Sequence, residues 1–307
     1  MRILFMGTPE FAVPSLRILL DHSYEVIGAV TAPDKPRGRG QQVSCTPVKE
    51  FALHYHLPVL QPDHLKDSIF ISDLQQLAPD LVVVVAFRIL PREVYTIAPL
   101  GTFNLHASLL PKYRGAAPIN WAIIQGEKET GVTTFFLQDK VDTGSILLQA
   151  RVRISEEETA GELHDTLSEV GAEVVLQTVR LIELGKVQPR QQNDSLSCPA
   201  PKIFKNDCRI DWKKSSQQVH DFIRGLSPYP ASWTTHSGKN IKLYRTLMRE
   251  TQSPATGRIL QRTNDTLLVG TGSGAVSILE IQQEGKRRLG IEEFLRGYSI
   301  EAGEVFE

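Results

Sequence analysis

Apolar residues follow two rhythms along this chain. Over its first two-thirds, the short runs Ile3–Met6, Val26–Val30, Leu81–Phe87, Thr102–Leu105 and Val132–Leu137 alternate with Ser15–His22, Pro47–His56 and Ser68–Leu77, which suit helices. The runs predict strands and the stretches between them crossover helices. Leu81–Phe87 is apolar at every position, as a parallel strand covered on both faces requires. Strand and helix taking turns predict an open, mostly parallel α/β sheet of the Rossmann-like kind.

From 159 to 185 the pattern becomes one long helix. Thr159 and Glu162 have the spacing of a capping box, Leu163, Leu167, Val170, Val174 and Leu181 recur near helical spacing, and Gly185 ends the run. Residues 186–208 are polar and proline-rich and read as a linker, which divides the chain into 1–185, 186–208 and 209–307. A helix follows at about Ser216–Leu226, with Val219, Phe222, Ile223 and Leu226 on one face. The short runs Ile241–Tyr244, Gly257–Gln261, Thr266–Val269 and Ala275–Ile281 then predict a small, OB-like β-barrel. The glycine-rich Gly270–Gly274 reads as a hairpin turn, because a strand and not a helix comes after it. Gly7-Thr8-Pro9 lacks the GxGxxG spacing, which argues against a bound dinucleotide.

Composition narrows the class. At roughly 100–200 residues per domain, 307 residues predict about two domains. A chain of this length buries enough surface to need no staples. Cys45, Cys198 and Cys208 are scattered with no CxxC, which argues against a disulfide scaffold or a cysteine zinc site and fits a reducing cytoplasm. No metal is expected. The longest apolar run falls far short of the roughly 20 residues of a membrane span, so no membrane association is expected either. A net charge of -1 disfavours a nonspecific DNA or RNA coat. The charge is uneven: residues 205–307 carry 15 Lys/Arg against 12 Asp/Glu, net +3, and residues 1–204 carry 19 against 23, net -4. The mildly basic C-terminal part suits a local anionic contact. The expected state is a monomer.

The chemistry-bearing residues gather at predicted strand ends. Alternation puts Asn104 and His106 on one side of their strand. Ligands of open α/β sheets bind beyond the carboxyl ends of strands. Two further strands could end on that edge, one at Phe87-Arg88-Ile89-Leu90 and one at Leu137, which leads to Asp142-Thr143-Gly144. An amide, an imidazole and a carboxylate would then meet. On the residues alone, His106 as a core or capping residue and Asn104 as a turn residue are equally compatible. Ser108–Gly115 reads as a loop entering the helix Ala116–Gln125. Asp34–Gln42 is a basic, glycine-containing loop: either a solvated loop or an arm that touches phosphates through Arg37 and Arg39.

The run Asn104-Leu105-His106-Ala107-Ser108-Leu109-Leu110-Pro111, with Asp142-Thr143-Gly144 downstream, resembles the core of the formyltransferases that use 10-formyltetrahydrofolate. Met6–Pro14, Lys112–Ile119, Gly225–Pro230 and the closing Ala302–Phe306 are similar to the methionyl-tRNA formyltransferase family, so the resemblance runs nearly the whole chain. Ala107 stands where many members have glycine, and Phe87-Arg88 where many have Tyr-Gly. The Phe-Arg-Ile-Leu run looks like the pterin-contacting segment of glycinamide ribonucleotide formyltransferase.

The resemblance implies transfer of a formyl group from 10-formyltetrahydrofolate to the α-amine of methionyl initiator tRNA. It implies Asn104 and His106 as hydrogen-bond donors to the reacting oxygen. Asp142 would orient His106 and take up the amine's proton. Phe87, Arg88, Ile89, Leu90, Ser108, Leu109, Leu110, Pro111 and Asp142 would form the folate side. Arg37, Arg39, Lys202 and Lys205 would contact tRNA. Rival readings are a related enzyme with another acceptor, such as a nucleotide-sugar amine, glycinamide ribonucleotide or water, and a non-catalytic RNA-binding relative.

Overall fold

The computed structural model describes residues 1–37, 42–251 and 256–307. They fall into two compact units. Unit 1 comprises Met1–Gly115, Gly131–Val152 and His164–Pro199, and unit 2 comprises Ala116–Thr130, Arg153–Leu163 and Ala200–Glu307.

Along the chain come β1 (Arg2–Gly7), α1 (Val13–Asp21), β2 (Glu25–Val30), β3 (Lys35–Arg37), β4 (Gln42–Ser44), α2 (Pro47–His54), β5 (Val59–Leu60), α3 (Ser68–Leu77), β6 (Leu81–Val85), α4 (Arg92–Tyr95) and β7 (Thr102–His106). Then follow β8 (Arg114–Gly115), α5 (Pro118–Ile124), β9 (Glu129–Phe136), β10 (Ile146–Arg153) and α6 (Ala160–Glu183). The main sheet of unit 1 has the order β10-β9-β7-β6-β1-β2-β5. Strands β5, β2, β1, β6 and β7 are parallel, and β9 runs antiparallel to β7.

Local chemistry explains the element ends. Strand β6 stops at Val85, two residues before the apolar run does, because Ala86 takes a left-handed φ of 49°. Extended pairing cannot pass through that conformation. Helix α2 stops at His54 and His56 turns left-handed at φ 56°. The Thr159–Glu162 capping box forms as the spacing predicts: Glu162 N–H donates to Thr159 Oγ1 at 3.3 Å and Thr159 N–H to Glu162 Oε2 at 2.9 Å. Gly185, at φ +64°, follows α6.

Register decides which face each side chain takes. Leu4, Met6, Val82 and Val84 share one buried cluster with Phe70 and Leu74 of α3 and Val94 of α4. Val84 pairs with Asn104, and registered neighbours point to the same side. Asn104 and His106 therefore stand on the α3/α4 side. Leu105 points the other way onto α6, where a Cβ on Gly171 would lie 2.7 Å from its Cδ2.

Unit 2 holds α7 (Ser216–Gly225), β12 (Ser232–His236), β13 (Lys239–Arg249), β14 (Ile259–Arg262), β15 (Leu267–Gly270), β16 (Ala275–Gln283), β17 (Leu289–Gly290) and α8 (Ile291–Gly297), after a short β11 (Pro199–Ala200). Its antiparallel sheet has the order β12-β13-β16-β15-β14, with β17 on β16. Strand β13 extends well past Ile241–Tyr244, and β12 and β17 lie outside the expected runs. Gly270–Gly274 is the expected hairpin turn, with Gly270 opposite Ala275. The chain's last residues close the sheet. Ile259 N–H donates to Glu304 O and Phe306 N–H to Gly257 O, while Thr235 and Glu307 exchange backbone bonds. The tail thus covers both edge strands, and the sheet becomes a small barrel. Trp212, Ile223, Leu243, Ile259, Val276 and Phe306 belong to its core.

A buried ion pair ties the inserted 153–163 segment into unit 2. Arg224 bonds Asp221 through Nε at 2.8 Å, and its Nη1 donates to the carbonyls of Ser155 and Glu158. Both side chains are nearly fully buried. Removing one partner of such a pair typically costs about 3–5 kcal/mol. Among the described residues no helix is long and apolar enough to cross a membrane.

Candidate active site

Strand β7 brings His106 to the carboxyl edge of the parallel strands, 7% exposed. Its Nε2 lies 2.8 Å from the carbonyl oxygen of Tyr113. A carbonyl only accepts, so Nε2 carries the proton. Nδ1 then faces Asp142 Oδ2 at 3.9 Å, beyond direct hydrogen-bond range. That same Oδ2 accepts the Gly115 N–H at 2.9 Å. Asp142 sits at φ 55°, a left-handed conformation that aspartate tolerates better than most residues.

The carboxylate does not arrive as the strand pattern suggests. An end of the Leu137 strand on the same edge as His106 requires that strand to run parallel, but β9 is antiparallel. Phe136 sits opposite Phe103, and Thr133 opposite His106. The loop after β9 carries Asp142 back to His106. Gly144 lets it turn tightly, because a Cβ there would stand 1.6 Å from the Phe136 carbonyl oxygen. Asn104 is partly exposed, and among the described residues its side-chain amide makes no hydrogen bond.

The segment after β6 behaves differently at each residue. Leu90 is buried in the core beside Val94, Ile89 is 75% exposed, and Phe87 packs partly on the same cluster. Arg88 donates to the carbonyls of Pro62 at 2.7 Å and Asp63 at 3.0 Å, over the Phe87 ring. Burial lowers its pKa from the ordinary guanidinium value. The side chain thus tethers a neighbouring loop. Among the described residues, the backbone groups of Phe87 to Leu90 make no hydrogen bond.

In the loop after β7, Ser108 is fully buried and donates to Lys112 O at 2.6 Å. Leu110 packs with Phe135 and Ile146, and a Cβ on Gly131 would meet Leu109. The Leu110–Pro111 bond is cis. Ser108 and Leu110 thus spend their side chains on contacts within this loop and with the adjoining strands. Thr133 holds this loop: its hydroxyl donates to Ser108 O and accepts from Leu110 N–H and Gln149 Nε2.

Of the basic candidates, Arg39 lies outside the described residues, and Arg37 is the last residue of β3. The β3–β4 hairpin starts beside Asp34, whose carboxylate accepts from Lys49 Nζ and Gln61 Nε2. The bond from Lys49 holds its pKa below the usual value. In unit 2, Lys202 and Lys205 are exposed. Lys202 lies 5.4 Å over the Phe204 ring, and Lys205 Nζ is 3.8 Å from Glu284.

Sequence reading missed Thr133, Gln149, Tyr113 and Gln192. Gln192 sits in the stretch that reads as linker, yet its amide reaches the carbonyls of Asp142 and Gly144. No local pattern marks any of the four. Among the described residues, no three His, Cys, Asp or Glu gather as a metal site.

The chain is similar to known proteins along nearly its whole length. Residues 1–179 match the family described as formyl transferase, and residues 202–299 the formyl transferase C-terminal domain. Methionyl-tRNA formyltransferase of Chlorobium limicola is 49% identical over 98% of this chain and 97% of its own length. That of Acetivibrio thermocellus is 47% identical over 99% of both chains. Among solved structures, the sugar 3N-formyl transferase WlaRD, crystallised in the presence of dTDP and 5-N-formyl-THF, superposes with a TM-score of 0.67 at 19% identity, covering 94% of this chain and 99% of that one. HypX from Aquifex aeolicus, in complex with tetrahydrofolic acid, gives 0.66 at 20% identity, and this whole chain spans about half (51%) of it. These two likenesses show the fold. The match through both family regions, together with 46–49% identity over nearly the full length, establishes that the chain belongs to the formyl transferase family, among its methionyl-tRNA formyltransferases, and is a formyl-transferring enzyme.

Proposed function

We propose that this chain moves the formyl group of 10-formyltetrahydrofolate onto the α-amine of methionine esterified to initiator tRNA, with Asn104, His106 and Asp142 as its catalytic residues. The observation that carries the chemistry is the facing pair of His106 Nδ1 and Asp142 Oδ2 on the sheet face that also bears Asn104. The acceptor follows from the similarity to methionyl-tRNA formyltransferases through both regions.

An α-amine titrates near 7.7–8.0 in model peptides, and esterification of the neighbouring carboxyl lowers that. A neutral fraction is therefore present for attack at the formyl carbon. Negative charge develops on the formyl oxygen. The unspent amide N–H of Asn104 is suited to donate to it, and loss of one such donor costs about 10²–10³ in rate in other enzymes. His106 has its Nε2–H committed to Tyr113, so Nδ1 is the nitrogen available to the reaction. The proton leaving the amine is taken up at Asp142 Oδ2 or His106 Nδ1 and passed to N10 as the bond between the formyl carbon and N10 breaks, so that tetrahydrofolate leaves and the formyl oxygen regains its double bond. General acid–base transfer of this kind contributes about 10²–10⁴.

The unpaired backbone run of Phe87 to Leu90 fits a pterin ring, whose edge alternates donors and acceptors. In this reading the cofactor side is backbone from Phe87–Leu90, the frame of Ser108–Pro111, and Asp142. Arg37, Arg39, Lys202 and Lys205 serve as phosphate contacts, and binding weakens with salt accordingly.

The test incubates the protein with 10-formyltetrahydrofolate and with methionyl initiator or methionyl elongator tRNA. Formylation of the initiator alone is expected. Asn104→Ala, His106→Ala and Asp142→Ala should each lose at least about 10²-fold in turnover with an unchanged circular dichroism spectrum. Formylation of neither tRNA refutes the acceptor, and near wild-type turnover in Asp142→Ala refutes the proton-accepting pair.

A further inference from the structure

Asp142 holds its place against two handicaps: a left-handed backbone and an arrival by loop from the wrong end of β9. Something must fix that loop. Gln192 Nε2 lies 2.8 Å from Asp142 O and 2.8 Å from Gly144 O. Gln192 Oε1 accepts from Arg114 Nε at 3.1 Å and Nη2 at 2.6 Å, and Arg114 Nη2 also bonds Asp194 Oδ1 at 2.7 Å.

The amide has one possible orientation here. Its neighbours on one side are carbonyls, which only accept, and on the other a guanidinium, which only donates. Both amide protons are used and the oxygen takes two donors, so a flipped amide would lose every bond. Such a fully satisfied network is rigid. Further bonds tie the same stretch to the chain around Arg114. Arg114 N–H donates to Cys198 O, Tyr113 N–H lies 3.3 Å from Cys198 Sγ, and the neighbouring Gly115 N–H binds the Asp142 carboxylate.

We infer that Gln192, oriented by Arg114, is a positioning residue for formyl transfer: it fixes the Asp142–Gly144 turn and so the carboxylate that faces His106. The inference rests on the proposed role of Asp142. It gives residues 190–198 a second task, because a stretch that reads as linker becomes a wall of the active-site frame. A displacement of about 1 Å in a reacting group costs up to about 10²-fold in rate. A Gln192 variant should lose turnover without a matching change in substrate KM.

The test uses Gln192→Glu, close to isosteric, which replaces the doubly donating Nε2 with one carboxylate oxygen facing the two carbonyls. Turnover should fall about 10- to 100-fold, with KM for methionyl-tRNA within about 3-fold. The deciding readout is a cycle with Asp142→Ala. If Gln192 acts through Asp142, Gln192→Glu adds little, under about 2-fold, in the Asp142→Ala background. A merely structural residue gives the same fractional loss in both backgrounds, and that result overturns the inference. Gln192→Met and Arg114→Lys carry the same comparison where the glutamate variant does not fold. Wild-type protein that formylates no methionyl-tRNA defeats the proposed activity. A working wild type with an unimpaired Gln192→Glu defeats this inference alone.

Discussion

Thr133→Val probes how the frame behind the active site is built. Thr133 is fully buried in β9, and its one hydroxyl makes three hydrogen bonds, the most it can. Valine has nearly the same shape, so no cavity opens, and it suits a strand equally well. The change therefore isolates the polar contribution. Leu110 N–H and Ser108 O lose this partner inside the protein, while Gln149 Nε2 keeps its bond to Leu110 O. Each stranded buried group costs about 1–3 kcal/mol, so two give roughly 2–6 kcal/mol, and about 3 kcal/mol is expected after local relaxation. Urea unfolding followed by far-ultraviolet circular dichroism measures the loss, and hydrogen exchange of the peptide covering residues 106–113 locates it. Exchange at Leu110 should speed up more than elsewhere in unit 1. Turnover should fall as well, because the loop pinned by Thr133 starts immediately after His106. A midpoint change worth less than about 0.5 kcal/mol, with unchanged Leu110 exchange, would refute the claim that this hydroxyl holds the loop.

Gly144→Ala should push the Asp142 turn away from His106, since the new Cβ would meet the Phe136 carbonyl at 1.6 Å. Turnover is expected to drop at least about 10-fold by misplacement, and wild-type kinetics in the alanine variant would show that the loop has room. Asp34→Asn tests the base of the β3–β4 hairpin through pH. The folded carboxyl of Asp34 titrates below the ordinary aspartate range, chiefly through the Lys49 bond. Its stabilisation is therefore complete above the unfolded pKa and is lost as pH falls through the folded one. The gap in unfolding midpoint between wild type and Asp34→Asn should be open at pH 6 and shrink below about pH 4. A gap independent of pH would mean the ion pair contributes nothing there.

What the sequence by itself determined was local. Helix α3 begins and ends where its pattern says, the Thr159–Glu162 box starts α6, and the glycine-rich stretch before Ala275 turns a hairpin. These features depend on residues a few positions apart, where periodicity, caps and turn chemistry act directly. Asn104 and His106 were legible for the same reason, since two-residue alternation fixes their shared face. The direction of β9 was not legible, because an apolar run reads the same whichever way its neighbour runs. That direction decides whether Asp142 reaches His106 by strand or by loop. Nor could the pattern show that Gln192 grips that loop from about 50 residues away in sequence, or that Thr133 pins the one before it. Tertiary structure decided these points, because a hydrogen bond between distant segments exists only once the whole sheet has set their registers.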